Sequence, residues 1–509
     1  MKQKEEALPP SRQEIDDVLT RFLHDELSLE ETEQAVQQLH DAGTDVVSSL
    51  LSLLDAPLPE HHTVAAILLA ATGDARLVPT LMERIRDPSL DDMLKVKLIT
   101  TVEQLDPSID PGALLDHLQD SHGALRQARK EHLRLLQSPQ DLAAWLQSVQ
   151  VEIDPLSRLQ LIENSIDLGD PAAVPMLICL CYDPDDEVAL AAMDAVERFK
   201  DGRALRTLEE LAAHHPHRAV RTEAQKTVDR LHVRIPLSEQ QWSPPDLPIH
   251  GCYLTPIDST GGQVALVARH DVDGNLVVVS VMFDDQEGVK DCFGTTFDAG
   301  ELVDMLRDYA VEGVSPVRVT HKVCLSALDM AVNTNWQSGR WLPAAFLAWR
   351  EMIESGRPDV QAVPALLRIP AERREESLVH CYRLLFQDEF QFWLFHPDEI
   401  EGLRARYVQE VETTGGALGR ERVAELLRQG VCDVVTDRWR HLIQGRLQRM
   451  VPLLREIYEE EDVWQWAAAA AEALADDSQV PVQNHPFLIG MLASSLEAAI
   501  GGPIGWFDG

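Results

Sequence analysis

No Cys-x-x-Cys pair occurs in this chain, although it holds seven cysteines: Cys179, Cys181, Cys252, Cys292, Cys324, Cys381 and Cys432. An odd number without metal-type spacing fits small buried thiols in a reducing compartment. No apolar run reaches the roughly twenty residues that a membrane helix needs, and WQWAAAAAEALA falls short. The opening MKQKEEALPP is charged and lacks an apolar stretch, so no signal peptide is expected. These absences predict a soluble, cytoplasmic protein. Basic residues are scarce, 45 against 84 acids, for a formal net charge of −39. That balance argues against a nucleic-acid backbone or an anionic membrane as main partner, and a basic protein or peptide is easier to accommodate. A solvated acidic surface explains the same excess without any ligand. Enzyme signatures are missing too. There is no Gly-x-Ser-x-Gly elbow, no His-Glu-x-x-His, no Gly-x-Gly-x-x-Gly and no kinase set.

What is present is a period. Leu177 and Leu208 lie 31 positions apart in similar segments, Asp55 and Asp87 lie 32 apart, and Val47 and Val78 lie 31 apart. Asp87-Pro88 and Asp183-Pro184 are separated by 96, three such steps. A period in the low thirties, one helix pair per unit, is the mark of an α-solenoid. The stretch Gly169–Leu231 shows the logic of one unit. Gly169-Asp170 opens a helix whose apolar face is Val174, Leu177, Ile178, Leu180 and Cys181. DPDDE ends it and starts the next, since proline suits a first turn and acids suit the positive end of the helix dipole. Val188, Leu190, Ala191, Ala195 and Val196 form the second face. Neither face can be buried by one hairpin alone, so neighbours must stack.

GDPAAVPML followed by DPDDEVALAAMDAVERFKD resembles the HEAT-like repeats, especially the short type of the bilin lyases. The likeness is good over Leu168–Leu231 and Ala42–Leu105 and looser over Asp110–Val149. The resemblance implies a scaffold that binds proteins; a minority of that family attach or isomerise bilins.

The expected organisation is mainly α. A tail covers 1–10, a solenoid 11–235, a Pro-rich linker 236–248, a small α+β domain 249–357, and a helical carboxy-terminal domain 358–509. Ile15, Val18, Leu19, Phe22 and Leu23 share a helix face near the start, and Ser28 with Glu31 forms a capping box. The interaction surface is expected on the inner curve of second helices. Asp91, Asp92, Asp185, Asp186 and Glu187 cluster at helix starts there and are candidate partner-binding residues, though dipole capping alone accounts for them. His214-His215-Pro216-His217 reads as a solvated interhelical loop, with no acid or thiol at ligand spacing, and His61-His62 likewise. Cys179 and Cys181, two apart on a helix, point in different directions.

After the linker the period changes. QVALVARH and NLVVVSVMF are β runs joined through Asp273-Gly274, a hairpin signal. Phe297–Ala310 is an amphipathic helix with Leu302, Val303, Leu306 and Tyr309 inward. Two more helices follow in THKVCLSALDMAVNTN and WLPAAFLAWREMI. The motif Gly288-Val289-Lys290-Asp291 and the run from Cys324 to Trp349 resemble an uncharacterised bacterial domain over Val264–Ile353, which implies a fold and no chemistry. Lys290 and Asp291, near Asp284, Asp285 and Glu287, are candidate binding residues. The plain alternative is a loop from sheet to helix with Lys290 paired to an acid. AERREESLVHCYRLLFQDEFQFWLF reads as one long helix with an aromatic end (Phe386, Phe390, Phe392, Trp393, Phe395), either core or docking surface. TTGGALGRER lacks the lysine and hydroxyl of a phosphate loop.

The function expected is a non-catalytic protein-binding scaffold that needs no cofactor, with no catalytic or metal-ligating set assigned. The alternative is an enzyme, either bilin-lyase-like or a hydrolase with its site in the middle domain.

Overall fold

The computed structural model describes residues 18–21, 29–41, 46–56, 58–235, 247–271, 274–311, 315–356, 369–458 and 462–507. The expected tail, the Ser28 cap and most of the Pro-rich linker lie outside them. The chain falls into two compact units, residues 1–135 and 136–509.

The first unit is a file of helical hairpins. It runs through α1 (Leu29–Asp41), α2 (Val46–Leu53), α3 (Pro59–Ala71), α4 (Val78–Arg86), α5 (Asp92–Leu105), the short α6 (Pro111–Leu114) and α7 (Ser121–Leu135). Second helices follow one another: α3 packs on α5 and α5 on α7. Leu50, Leu54, Leu68, Leu81, Ile85, Leu98 and Val102 fill the layer between first and second helices. Polar bonds tie neighbouring second helices as well. Thr101 donates to Ala66 O at 3.1 Å and Lys97 Nζ to Thr63 Oγ1 at 2.6 Å.

The second unit opens with more of the same. It contains α8 (Pro139–Glu152), α9 (Pro155–Leu168), α10 (Val174–Leu180), α11 (Asp186–Phe199), α12 (Arg203–His214) and α13 (Arg218–Arg234). Each start is signalled locally. Pro139, Pro155 and Pro175 sit in first turns, and Ser138, Asp154 and Asp185 accept backbone N–H groups as caps. Val188, Ala192, Met193 and Val196 are wholly buried on α11, whose flanks are α9 and α13. Burial of each larger side chain stabilises by about 1.5–3 kcal/mol.

A five-stranded antiparallel sheet follows: β1 (Ile249–Leu254), β2 (Gln263–His270), β3 (Leu276–Asp284), β4 (Gly288–Phe297) and β5 (Val317–Val319), in the order β4-β3-β2-β1-β5. The β2–β3 hairpin pairs His270 with Leu276, as the two β runs predicted. The central strands β2 and β3 are buried almost throughout because both faces are covered. One face takes α14 (Ala299–Val311), which packs Leu302 on Ala268, Leu276 and Val278. The other meets α15 (His321–Ser338) and α16 (Ala344–Glu354).

Three expectations fail here. Gly288–Phe297 is a ten-residue strand, not a loop to the next helix. Gly288 turns the chain at φ 86°, and Asn335 on α15 grips its neighbour, accepting from Val289 N at 2.6 Å and donating to Val289 O at 3.1 Å. Val303 is 53% exposed, because one turn of α14 places Leu302, Met305 and Leu306 together and leaves Val303 off that face. The third concerns 371–395. A helix, α17 (Ala371–His380), stops at His380 and gives way to tight 3-10 turns at 381–386 and 388–390. Tertiary packing overrides local propensity there. Phe390 and Trp393, 4.9 Å apart, both close on Phe487, and Trp393 Nε1 donates to Ile257 O at 2.8 Å. Phe390, Trp393 and Phe395 are core; Phe386 and Phe392 are exposed.

The chain ends in α18 (Glu401–Thr414), α19 (Arg420–Val434), α20 (Asp437–Ile457), α21 (Val463–Ala473) and α22 (Pro486–Ile500). Among the described residues, no helix is long and apolar enough to cross a membrane.

Candidate functional site

The repeats α8–α13 present two rows of helices, and the rows meet different surroundings. On the first-helix side, α8 and α10 pack against α16. A buried polar cluster closes this seam. Arg350 on α16 donates to Glu210 Oε2 at 2.5 Å and to the Tyr182 hydroxyl at 2.9 Å. Trp336 Nε1 donates to Glu210 Oε1 at 3.1 Å, and Arg206 is bidentate to Glu354. Burial, the largest single influence, pushes the Glu210 carboxyl up, but Arg350, with help from Trp336 and Arg206, brings it below its ordinary range. The carboxylate is therefore charged within the seam.

On the second-helix side, α9, α11 and α13 pack on one another and leave a charged face outward. Glu163, Asp167, Glu187 and Asp194 are exposed on α9 and α11. Farther along, α13 is basic, with Arg218, Lys226 and Arg234 exposed. Glu197 joins the last two helices, accepting from Arg230 Nε at 2.8 Å and Arg234 Nη1 at 2.7 Å.

The candidate acids divide by role. Asp91 caps α5 through Met93 N at 2.9 Å, and Asp185 caps α11 through Glu187 N at 2.9 Å and Val188 N at 3.2 Å. Asp92 accepts from the backbone of Gln119 and Asp120 at 3.0 and 2.8 Å, so it fastens the next repeat of the first unit. Glu187 is exposed at the start of α11. Lys290 pairs with Asp284 and lies 3.4 Å from Glu287, within its own hairpin. Asp291 is exposed and accepts from the adjacent Cys292 N at 2.8 Å.

Asp186 behaves otherwise. His217 Nδ1 donates to it at 2.7 Å, and His215 lies beside them. The expectation of a solvated histidine loop without an acid in reach is therefore wrong. His215 is wholly buried, stacked near Trp341 and Trp336, and burial lowers its pKa. The acid comes from the preceding repeat, because stacked hairpins bring equivalent turns together. The separation of 31 between Asp186 and His217 was the available signal.

A cavity of about 1700 Å³ lies between α15 and the helices α17, α20 and α21, with Gln263, Met330, Arg449 and Glu472 on its walls. Arg449 and Arg446 both hold Asp285 there, at 2.5 and 2.8 Å. Cys179 and Cys181 are buried in the first-helix row, and burial pushes the Cys179 thiol up to about 12 and that of Cys181 higher still.

No curated protein and no solved structure matches the chain. A family model described as HEAT repeats matches residues 142–228, the span from α8 to α13, and this part of the chain is a HEAT-like repeat array.

Proposed function

We propose that this chain is a protein-binding scaffold, and that its recognition face is the row formed by α9, α11 and α13. One observation carries the reading: α16 covers first helices of the array, while the second-helix row turns its charged residues outward. HEAT repeats characteristically serve as interaction surfaces, which supports the same class. The acids on α9 and α11 suit a basic segment of a protein partner, with neither nucleic acid nor membrane as the ligand. Asp185 and Glu187 lie at the edge of that face; Asp91 and Asp92 would serve the equivalent edge of the first unit. Lys290 and Asp291 would be a secondary contact on the middle module.

A bilin-lyase-like role needs a reactive thiol on the array, and the burial of Cys179 and Cys181 disfavours it. A ligand-binding or hydrolytic role for the middle module has the large cavity in its favour. Arg449 on its wall is already engaged by Asp285, and the family match lies in the array, so the scaffold reading stands first.

The test is charge reversal on the full-length protein at Glu163, Glu187 and Asp194, three exposed positions outside the core. Proteins captured from the source cell by the wild type should be lost by the triple variant at unchanged thermal stability. An identical captured set would remove the second-helix face from consideration. Deleting the array would be a poorer test, because it would uncover the apolar side of α16.

A further inference from the structure

The turns leading into α11 and α13 occupy equivalent places in two repeats. Asp183 and His215 correspond, as do Asp185 and His217, each pair 32 positions apart with Pro184 and Pro216 between. The first residue of each turn accepts a backbone N–H two positions on. Asp183 Oδ1 takes that of Asp185 at 2.9 Å, and His215 Nδ1 takes that of His217 at 3.1 Å. The third residue is the helix cap. Asp185 accepts two N–H groups from α11, whereas the His217 side chain makes no capping bond to α13. A lost cap costs about 1 kcal/mol. The same turn also buries His215 completely with its Nε2 lacking a hydrogen-bond partner. A repeat that breaks two local rules at one turn invites a functional explanation.

What the two histidines gain is a constellation. His217 Nδ1 stands 2.7 Å from either oxygen of Asp186, the first residue of α11. With His215, these residues offer three ligand atoms within 4.8 Å of one another. The His215 ring is fixed from behind, with ring centres 5.1 Å from Trp341 and 6.4 Å from Trp336.

We propose that Asp186, His215 and His217 bind a divalent transition-metal ion, zinc or a close chemical relative, across the turns of two successive repeats. Two imidazoles and one carboxylate suit such an ion; calcium or magnesium would require more oxygen ligands. Tetrahedral bonds of about 2.0–2.1 Å place donor atoms about 3.3 Å apart. His217 and Asp186 face solvent and can adjust by side-chain rotation, while His215 is held. The outward side is left to water. Each neutral imidazole keeps its proton on the ring nitrogen away from the metal. For His217 that is a tautomer exchange with solvent. For His215, whose Nδ1 accepts from His217 N, ligation through Nε2 moves the proton to Nδ1 and gives up that turn hydrogen bond. No oxidant or further reactant is involved. Besides that lost bond, two features oppose the ion: the positive end of α13, and Arg221, which donates to the carbonyl oxygens of His215 and Pro216. The Asp186 carboxylate counters them. The site is distinct from the charged face proposed for partner binding and would stiffen the edge of that face.

Cobalt(II) is a suitable probe on the full-length protein. One stoichiometric site is expected, with visible absorption of low-coordinate cobalt, displacement by zinc, and quenching of tryptophan fluorescence. Two variants remove one ligand each: Asp186→Asn, and His217→Ser, whose hydroxyl can cap α13 and protect the fold. Each should weaken cobalt binding at least tenfold while thermal stability in chelator stays at or above that of the wild type. Absence of a cobalt site in the wild type would overturn the proposal. So would equal cobalt affinity in all three proteins; Asp186 and His217 would then be a hydrogen bond between turns and nothing more.

Discussion

At the scale of single residues, the clearest pH-sensitive group is His485. It caps α22 by accepting from Leu488 N and donates from Nε2 to Ala470 O at 3.0 Å, entirely inside the protein. Burial lowers its pKa to about 4 from an ordinary 6.5. Between those values the unfolded chain is protonated at this position and the folded chain is not. Unfolding therefore takes up a proton, and stability falls as pH drops through that window and is level above it. The full effect is on the order of 3 kcal/mol. His485→Asn keeps a capping side chain and removes the titration. Denaturant midpoints from pH 7 to pH 4.5 should decline less steeply in the variant than in the wild type, and parallel curves would refute this assignment.

Cysteine chemistry gives a second residue-scale prediction. Six thiols are buried and Cys432 is exposed. The neutral thiol is unreactive, and burial holds it neutral at Cys179, Cys181, Cys292 and Cys381. Native protein should react with a maleimide at Cys432 within minutes and at the others only on unfolding, as peptide mapping would show. Rapid labelling of Cys179 or Cys181 would revive the lyase reading.

At the scale of elements, β4 turns on Gly288. Its φ of 86° is unfavourable for other residues, and a Cβ there would lie 2.5 Å from Ala331 O and 2.2 Å from Asn335 Oδ1. Gly288→Ala should cost about 1–3 kcal/mol through strain and loss of the Asn335 grip on Val289. Thermal denaturation measures it, and hydrogen exchange should place the loosening in β4 and α15. Gly294 shows the same closeness to α16: a Cβ would lie 2.5 Å from the Trp349 ring. The motif that resembled an uncharacterised domain thus marks where helices approach the sheet. Lys290 and Asp291 are its surface members, and the glycine is its structural one.

At the scale of the whole molecule, the decisive feature within residues 136–509 is the seam between the repeats and α16. Glu210, Arg350, Tyr182 and Trp336 form one hydrogen-bonded cluster in which both charges are largely removed from water. Replacing Glu210 with Ala leaves the buried Arg350 with Glu354 and Tyr182 as partners, so the loss should be that of a charged hydrogen bond, about 1.5–3 kcal/mol, rather than that of an unpaired buried charge. A loss of that size in chemical denaturation, insensitive to salt, would mark a structural seam. A change under 1 kcal/mol would mean that this cluster contributes little to holding the array on the middle module.

Much of this architecture could be read from the chain before any coordinates. Hairpin spacing, caps such as Asp185 and Asp154, the β2–β3 hairpin and the buried cysteines are all local in sequence, and local patterns report local structure. Leu177, Val188 and Leu208 face inward because helical periodicity leaves them no other side. The rest depended on which surfaces meet. The end of α17 at His380, the exposure of Val303 and the strand at Gly288 were decided by Phe487, by the sheet and by Asn335, each distant in the chain. The meeting of His217 with Asp186 belongs to the same class, although its spacing was one repeat. Periodicity determines that hairpins form and stack; only the stack itself decides which turn side chains touch, because those contacts are made between units that no helical or strand period connects.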